Sequence, residues 1–412
     1  MTSVHATLAD ALEPHAVSLD LLRQRHGVLL TVADKMLGVV PNAGRYLEIW
    51  PVGFRTYNLL APSFLYMPAL MLSRGKEKRL VGLVMYAASR AAQCAYCSAH
   101  SCSFALRRGA DAASVAHALD ASSADRRFTP ADRAALDVAE ALGRLPATLT
   151  DEQREAFSRS FSESQGAQLV LAIGLMGFLN KFMDGLGVPL EDVPFNEAVR
   201  VIAASGWSPG KHRAQQADPP AHQPLSSGDS IGRKLSLFPL MPALIARERS
   251  WTAGVPGRWP EVGTYLSERV GYDFPVLSRL QRSRPTRALA TAVRDNADAS
   301  VSELGLQTKF LAGIAYATVA EDEQLLRAMN VLADGAGATR AHRLGSSQGL
   351  GDPARAAQQL ALAGSSSPAQ IAPDIIDRAE QALSPAAIVE LMVWLSLLQA
   401  VHRLNVFYAG EP

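Results

Sequence analysis

Cysteine is scarce in this 412-residue chain: there are three, Cys94, Cys97 and Cys102, all within nine positions. So few thiols in one short stretch cannot form a disulfide framework; paired thiols of this kind point to redox chemistry or metal binding. An excess of one charge is also missing. Forty Lys and Arg stand against 39 Asp and Glu, for a formal net charge of +1. That balance gives no electrostatic case for a nucleic-acid partner or an anionic membrane surface. Long apolar runs are absent too: the longest, near Leu169–Leu179 and Leu391–Val401, are about half of what a membrane span needs. The first twenty residues carry acidic side chains and neither a basic n-region nor an apolar h-region, so no secretory signal is expected. A soluble, cytoplasmic protein with reduced thiols is the expectation. No phosphate-binding glycine loop, nucleophile elbow, kinase signature or HExxH motif occurs, and no cofactor is expected. Runs of β-branched residues are few while Ala and Leu abound, which favours an all-α class.

The length predicts two domains or more. The stretch around which the chain is organised is Arg79–Gly109, which holds all three cysteines. Leu80, Leu83, Val84 and Ala87 follow the spacing of an amphipathic helix, and no proline interrupts it before Gly109. On a helix Cys94 and Cys97 lie one turn apart, and so do Cys97 and His100. Arg90 lies four residues before Cys94, close to the same stripe. A neighbouring cation and imidazole both favour the thiolate. This is the layout of a nucleophilic thiol with a base and a resolving partner.

The string CxYC followed by a histidine, on an apolar helix, resembles the alkyl hydroperoxidase D-like family, also called the carboxymuconolactone decarboxylase family. A second stretch, Gln168–Val188, is similar to the later family helix with its Asn-Lys-Phe segment, and the resemblance covers roughly 40–188. It implies Cys97 as attacking thiol, Cys94 as resolving thiol and His100 as proton carrier. Two departures stand out. The peroxidase members carry a Glu twelve residues before the first Cys, where this chain has Gly82; their His usually lies four residues after the second Cys, and here it lies three after. The resemblance also places the aromatic segment of Tyr46, Trp50, Phe54, Tyr57, Phe64 and Tyr66 near the thiols, as core, subunit interface or pocket wall.

In chain order, Thr129-Pro130-Ala131-Asp132 opens one helix and Thr150–Gln153 forms a capping box for the next. The stretch Ser205–Ser230 is rich in Pro, Gly, Ser and Gln and reads as a surface linker, with His212 and His222 as solvated spacers. His5, His15 and His26 read as surface or packing residues. Beyond the linker the pattern starts again. Lys309–Asn330 aligns with Arg79–His100, and Ala387–Asn405 with the later family helix, Glu390 standing opposite Gln168. The expectation is therefore two tandem alkyl hydroperoxidase D-like helical domains forming a pseudo-dimer within one chain, a duplication. The domains would be 1–203 and 233–412, joined by a linker at 204–232. The second has no cysteine, and Gln324, Arg327 and Asn330 occupy the places of Cys94, Cys97 and His100 in that register. Arg340–Pro373 reads as a loop. Further homo-oligomerisation fits what the family does.

Four readings of the thiols compete. The first is a thiol-dependent peroxidase or disulfide oxidoreductase, with an organic hydroperoxide (or another metabolite) as substrate and a thiol reductant as partner. The second is a lyase or tailoring enzyme of the decarboxylase type, using Tyr86, Arg90, Tyr96 and His100 as acid–base groups. The third is structural zinc on Cys94, Cys97, His100 and Cys102, which one straight helix cannot wrap around an ion. The fourth is a scaffold with buried, inert thiols. A c-type haem is excluded because Ser98 stands where CxxCH needs its histidine.

Overall fold

The computed structural model describes residues 5–67, 69–72, 76–120, 127–213, 224–228, 232 and 235–409; His222 and much of the expected linker lie outside them. Among the described residues the chain is all-helical, without a strand. The helices that position the site are α1 (Leu19–Leu37), α2 (Pro51–Phe64), α3 (Lys76–Ala91), α4 (Ala95–Arg107), α5 (Pro130–Gly143), α6 (Asp151–Ser160), α7 (Glu163–Leu186) and α8 (Asp192–Val201). They continue with α9 (Met241–Trp251), α10 (Ser283–Asn296), α11 (Leu306–Val319), α12 (Glu323–Gly335), α13 (Asp352–Ser365), α14 (Pro373–Ala382) and α15 (Pro385–Tyr408).

Two 24-residue helices, α7 and α15, form the centre. Each is apolar on all sides, the pattern of a helix buried on all sides, and each is buried along most of its length. Both are long and apolar enough to cross a bilayer by length and composition, beyond what their apolar runs alone suggested, yet they lie inside the protein. They pack against each other more extensively than any other helix pair. The crossing is close because Gly177 has no side chain: a Cβ there would sit 2.8 Å from the Gln399 carbonyl oxygen.

Local sequence sets the helix starts. Thr129, Thr150 and Ser162 each form a reciprocal capping box with Asp132, Gln153 and Gln165. The series α5, α6, α7 runs 14, 10 and 24 residues, and α13, α14, α15 repeats those three lengths. An offset of 222 separates Pro130 from Asp352, Asp151 from Pro373 and Glu163 from Pro385. The region read as a loop, 340–373, thus contains α13, the counterpart of α5; its Gly and Ser content had masked a helix built on Ala and Leu.

The helix expected over Arg79–Gly109 is two helices. It breaks at Ala92–Cys94, where Gln93 takes a left-handed φ of 54°. The same turn recurs before α12, with Glu321 at φ 54° and Asp322 as N-cap. Gln93 to Glu321 and Cys94 to Asp322 are both offsets of 228, against 230 for the pairing of 79 with 309 read from the sequence. Asp322, not Gln324, stands where Cys94 does, and Leu325 stands where Cys97 does.

Helices α3 and α4 fold back on each other, and Gly82 lies at their contact. A Cβ there would fall 2.6 Å from the Ala105 Cα. The position has no room for an acid, and the close approach of the two helices depends on that. Replacing Gly in a helix interior with Ala ordinarily gains about 1 kcal/mol, but overpacking costs about 1–3 kcal/mol. Gly82→Ala is therefore expected to lower stability in urea unfolding, and a variant as stable as the parent would refute this packing account.

Candidate functional site

The α3–α4 turn creates the site. Cys94 is the N-cap of α4, and its Sγ accepts the Cys97 N–H at 3.3 Å. Cys97 sits in the first turn, where free N–H groups and the helix dipole favour an anion. The two sulfurs are hydrogen-bonding neighbours. Cys97, Tyr96, His100, Ser101 and Phe104 line a cavity of about 500 Å³. Its other walls are largely apolar side chains from α1, α2 and α7, among them Leu29, Met36, Met176 and Met183. Among the leucines of α1, Leu22 and Leu30 are buried, Leu29 faces this cavity and Leu21 is exposed. Tyr57 from the aromatic segment is a cavity wall, and Trp50 instead donates to the Val301 carbonyl. Helices α9 and α10 bring Arg247, Arg249, Arg284 and Arg287 to the cavity, against one acid, Glu248, which Arg284 binds with both arms at 2.7 Å.

His100 is held from outside its helix. Its Nε2 lies 2.6 Å from Glu191 Oε2, while the Tyr96 hydroxyl donates to Glu191 Oε1 at 2.8 Å. The Asn42 N–H donates to the same carboxylate. The Tyr96 ring stacks on the His100 ring with centroids 4.4 Å apart. Glu191 is the N-cap of α8, yet its carboxylate caps nothing, because it turns inward to these two side chains. It escaped sequence reading because it lies 91 residues from His100 with no local signal. The carboxylate at the imidazole thus comes from the start of α8 and not from α3.

The remaining candidates are placed apart. Arg90 turns to Ser205, donating to its carbonyl at 2.9 Å, and Tyr86 is buried beside Arg90, Ser205 and Cys102. Neither joins the cavity, because the break at Gln93 takes α3 off the stripe of α4. Cys102 is buried, with its thiol pushed up by burial and by Glu197. The zinc set Cys94, Cys97, His100 and Cys102 does not gather among the described residues. The cation beside the thiols is Arg403 of α15, fully buried and donating to the Ile173 and Gly143 carbonyls. In the helix series it corresponds to Lys181, whose ammonium holds the carbonyls of Gly364, Ser365 and Ser366 at 2.6–3.2 Å. Burial lowers Lys181 to about 7, with Asp184 opposing.

His212 is the largest correction to the linker reading. It is 1% exposed, and Trp207 beside it donates to the Ala95 carbonyl at 3.0 Å. Cys94, Asp184 and His212 bring sulfur, oxygen and nitrogen donors within 4.8 Å of one another. As they stand they do not fit a cation. Lys211 is 3.1 Å from Asp184 Oδ1, the Ala369 N–H holds Oδ2 at 2.6 Å, and Lys181 and Arg403 already direct positive charge at Cys94.

An all-helical protein with a cysteine pair at a helix N-terminus, opening on an apolar cavity, is the class these features define. Residues 67–141 match the model of the carboxymuconolactone decarboxylase family. No curated protein matches the chain. Among solved structures, the debrominase Bmp8 in its apo form is similar at 22% identity, covering 45% of this chain and 96% of that one, with a TM-score of 0.38. A variant of that debrominase in complex with 2,3,4-tribromopyrrole is similar at 21% identity, covering 48% and 99%, with a TM-score of 0.41.

Burial pushes the Cys97 thiol well above its ordinary range; the Cys94 sulfur and Asp184 add to this, and Arg403 opposes it. An acid raised in this way stays protonated through neutral pH. Alkylation of Cys97 by iodoacetamide, followed by mass spectrometry, should therefore keep rising beyond pH 9. Arg403→Met should slow it further at every pH below that. A plateau reached below pH 8 would contradict the dominance of burial.

Proposed function

We propose that the chain is a thiol-dependent oxidoreductase that reduces an organic hydroperoxide through Cys97 and Cys94. The observation that carries this reading is the contact of two reduced thiols at a helix N-terminus, one of them facing an apolar cavity that also holds a carboxylate-bound imidazole. His100 takes the Cys97 proton, and Glu191 stabilises the imidazolium that results. The sulfur attacks the terminal oxygen of R–O–OH and the O–O bond breaks. The departing alkoxide receives the proton from His100 as ROH, and Cys97 is left as a sulfenic acid. Cys94 then attacks that sulfur, water leaves, and the Cys94–Cys97 disulfide awaits an external thiol reductant. Tyr57, whose hydroxyl is raised to about 12 by burial and then by Glu191, remains a donor at the cavity wall.

The cavity suits a substrate with an apolar organic group, because its lining is dominated by aliphatic and Met side chains. The second half of the chain, read as a degenerate duplicate of the first, supplies Arg403 and the arginine-bearing wall rather than a second thiol site. A lyase reading draws on the His100–Glu191–Tyr96 network, which is an acid–base unit that does not need the sulfurs.

Intact mass of the reduced protein, taken before and after one equivalent of cumene hydroperoxide, separates the two. The expected result is rapid loss of two hydrogens, mapped to Cys94 and Cys97 and reversed by a dithiol. Cys97→Ser abolishes it, and His100→Asn slows it by about 10²-fold, the scale of a lost general base. Thiols that stay reduced would remove the peroxidase reading. Turnover of a carboxylic acid that survives Cys97→Ser and is lost in His100→Asn would put the lyase in its place.

A further inference from the structure

The pair His100 and Glu191 serves the cavity side of the site. Cys94 is fully buried and is not part of the cavity wall. Its thiol therefore does not face the substrate directly, and a second set of groups lies close to it. The ring of His212 lies 5.9 Å from that of Tyr96, which itself stacks on His100, so the two imidazoles flank one tyrosine.

The tautomer of His212 follows from its partners. Nδ1 lies 2.8 Å from the Val188 carbonyl oxygen, which only accepts, so Nδ1 carries the hydrogen. Nε2 of the neutral ring is then a bare lone pair. It has no hydrogen-bond partner although the residue is 1% exposed. Asp184 Oδ1, another acceptor, lies 3.5 Å from it, and the Cys94 sulfur is within 4.8 Å of a ring nitrogen of His212. Nε2 faces an oxygen that already has Lys211 at 3.1 Å, and the Cys94 thiol is the neutral acid of the group, with a proton to give to the ring. Once Nε2 is protonated it becomes a donor to Asp184, and a thiolate–imidazolium–carboxylate line replaces an unsatisfied contact.

We infer that His212, oriented by Val188 and backed by Asp184, is the base that deprotonates Cys94 for disulfide closure, separate from the His100–Glu191 pair that serves Cys97. The charges around this line are Lys211 on Asp184, Lys181 and Arg403 toward Cys94, and the Cys97 sulfur. The cations stabilise the thiolate, and the Ala369 N–H fixes the other oxygen of Asp184. Lys211 also borders a smaller cavity of about 400 Å³ on the side of Gly187 and Gln370, which gives the proton a way out that does not cross the apolar substrate cavity. In the step proposed, the Cys94 proton passes to His212 Nε2. The thiolate then forms the S–S bond by displacing the group on Cys97, and the leaving group is protonated on the cavity side.

The inference rests on the thiol reading for its biological purpose, but its test does not need a peroxide. Diamide adds to one thiol to give a sulfenylhydrazine, and a second thiol displaces the hydrazine and closes the disulfide. Rapid-quench mass spectrometry on the full chain follows the two steps. In His212→Asn, which keeps a donor for Val188, closure should slow at least tenfold while addition at Cys97 stays within twofold. In the isosteric Asp184→Asn closure should slow likewise, while addition, relieved of a carboxylate that raises the Cys97 thiol, should not slow. With cumene hydroperoxide the same variants should accumulate a Cys97 sulfenic acid that dimedone traps. Closure at the parent rate in both variants overturns the inference, and so does equal slowing of both steps. A protein that shows the closure defect with diamide and does not react with the hydroperoxide keeps this inference and loses the peroxidase reading.

Discussion

The site depends on the close crossing of α7 and α15. Two helices apolar on every side bury each other, and a glycine at position 177 lets the backbones approach. Because they run through the middle, any charged residue they carry is carried into the core. Lys181 and Arg403 are such residues, and each is tolerated because it hydrogen-bonds carbonyls exposed at the end of another helix. Lys181 of α7 binds the end of α13, while Arg403 of α15 binds the end of α5. This reciprocal exchange puts a guanidinium from the C-terminal half beside thiols from the N-terminal half. The halves are thus joined through the site, which neither completes alone.

Around the thiols, burial and charge pull in opposite directions. A largely apolar cavity favours an organic ligand, and the burial of Cys97 raises its thiol, which works against the thiolate. The structure offsets this with position and with proton acceptors. Both cysteines sit at the start of α4, and a histidine backed by a carboxylate lies on each side of Tyr96. The carboxylates, Glu191 and Asp184, come from the segment just after α7 and from the end of α7 itself. Both histidine–carboxylate pairs therefore depend on how α7 docks against α4.

The turn before α12 has the backbone geometry of the turn before α4 without its thiols. There Asp322 caps α12 in place of Cys94, and it is bound by His402 at 3.0 Å and by Asn405. A carboxylate does at that position what a thiol does at the other, accepting the N–H three residues on. With Leu325 in place of Cys97, that turn has become a packing element.

The sequence by itself determined the helical class, the starts of α5 and α6 and the thiol pair. These are local matters: capping boxes, apolar spacing and a CxYC string act over a few residues. It also marked Lys181 within its Asn-Lys-Phe segment. Pattern alone paired 79 with 309, an offset of 230 against 228 at the turns, and it read α13 as loop because Gly and Ser content outweighed a weak periodicity. Tertiary structure decided the rest. Arg90 turns away from the thiols because one left-handed residue, Gln93, redirects its helix, and Arg403 reaches them through the crossing of α7 and α15. Whether His212 is solvated or buried turned on the packing of its segment against α7. Glu191 became the partner of His100 because two elements far apart in sequence meet in space, and no local pattern encodes such a meeting.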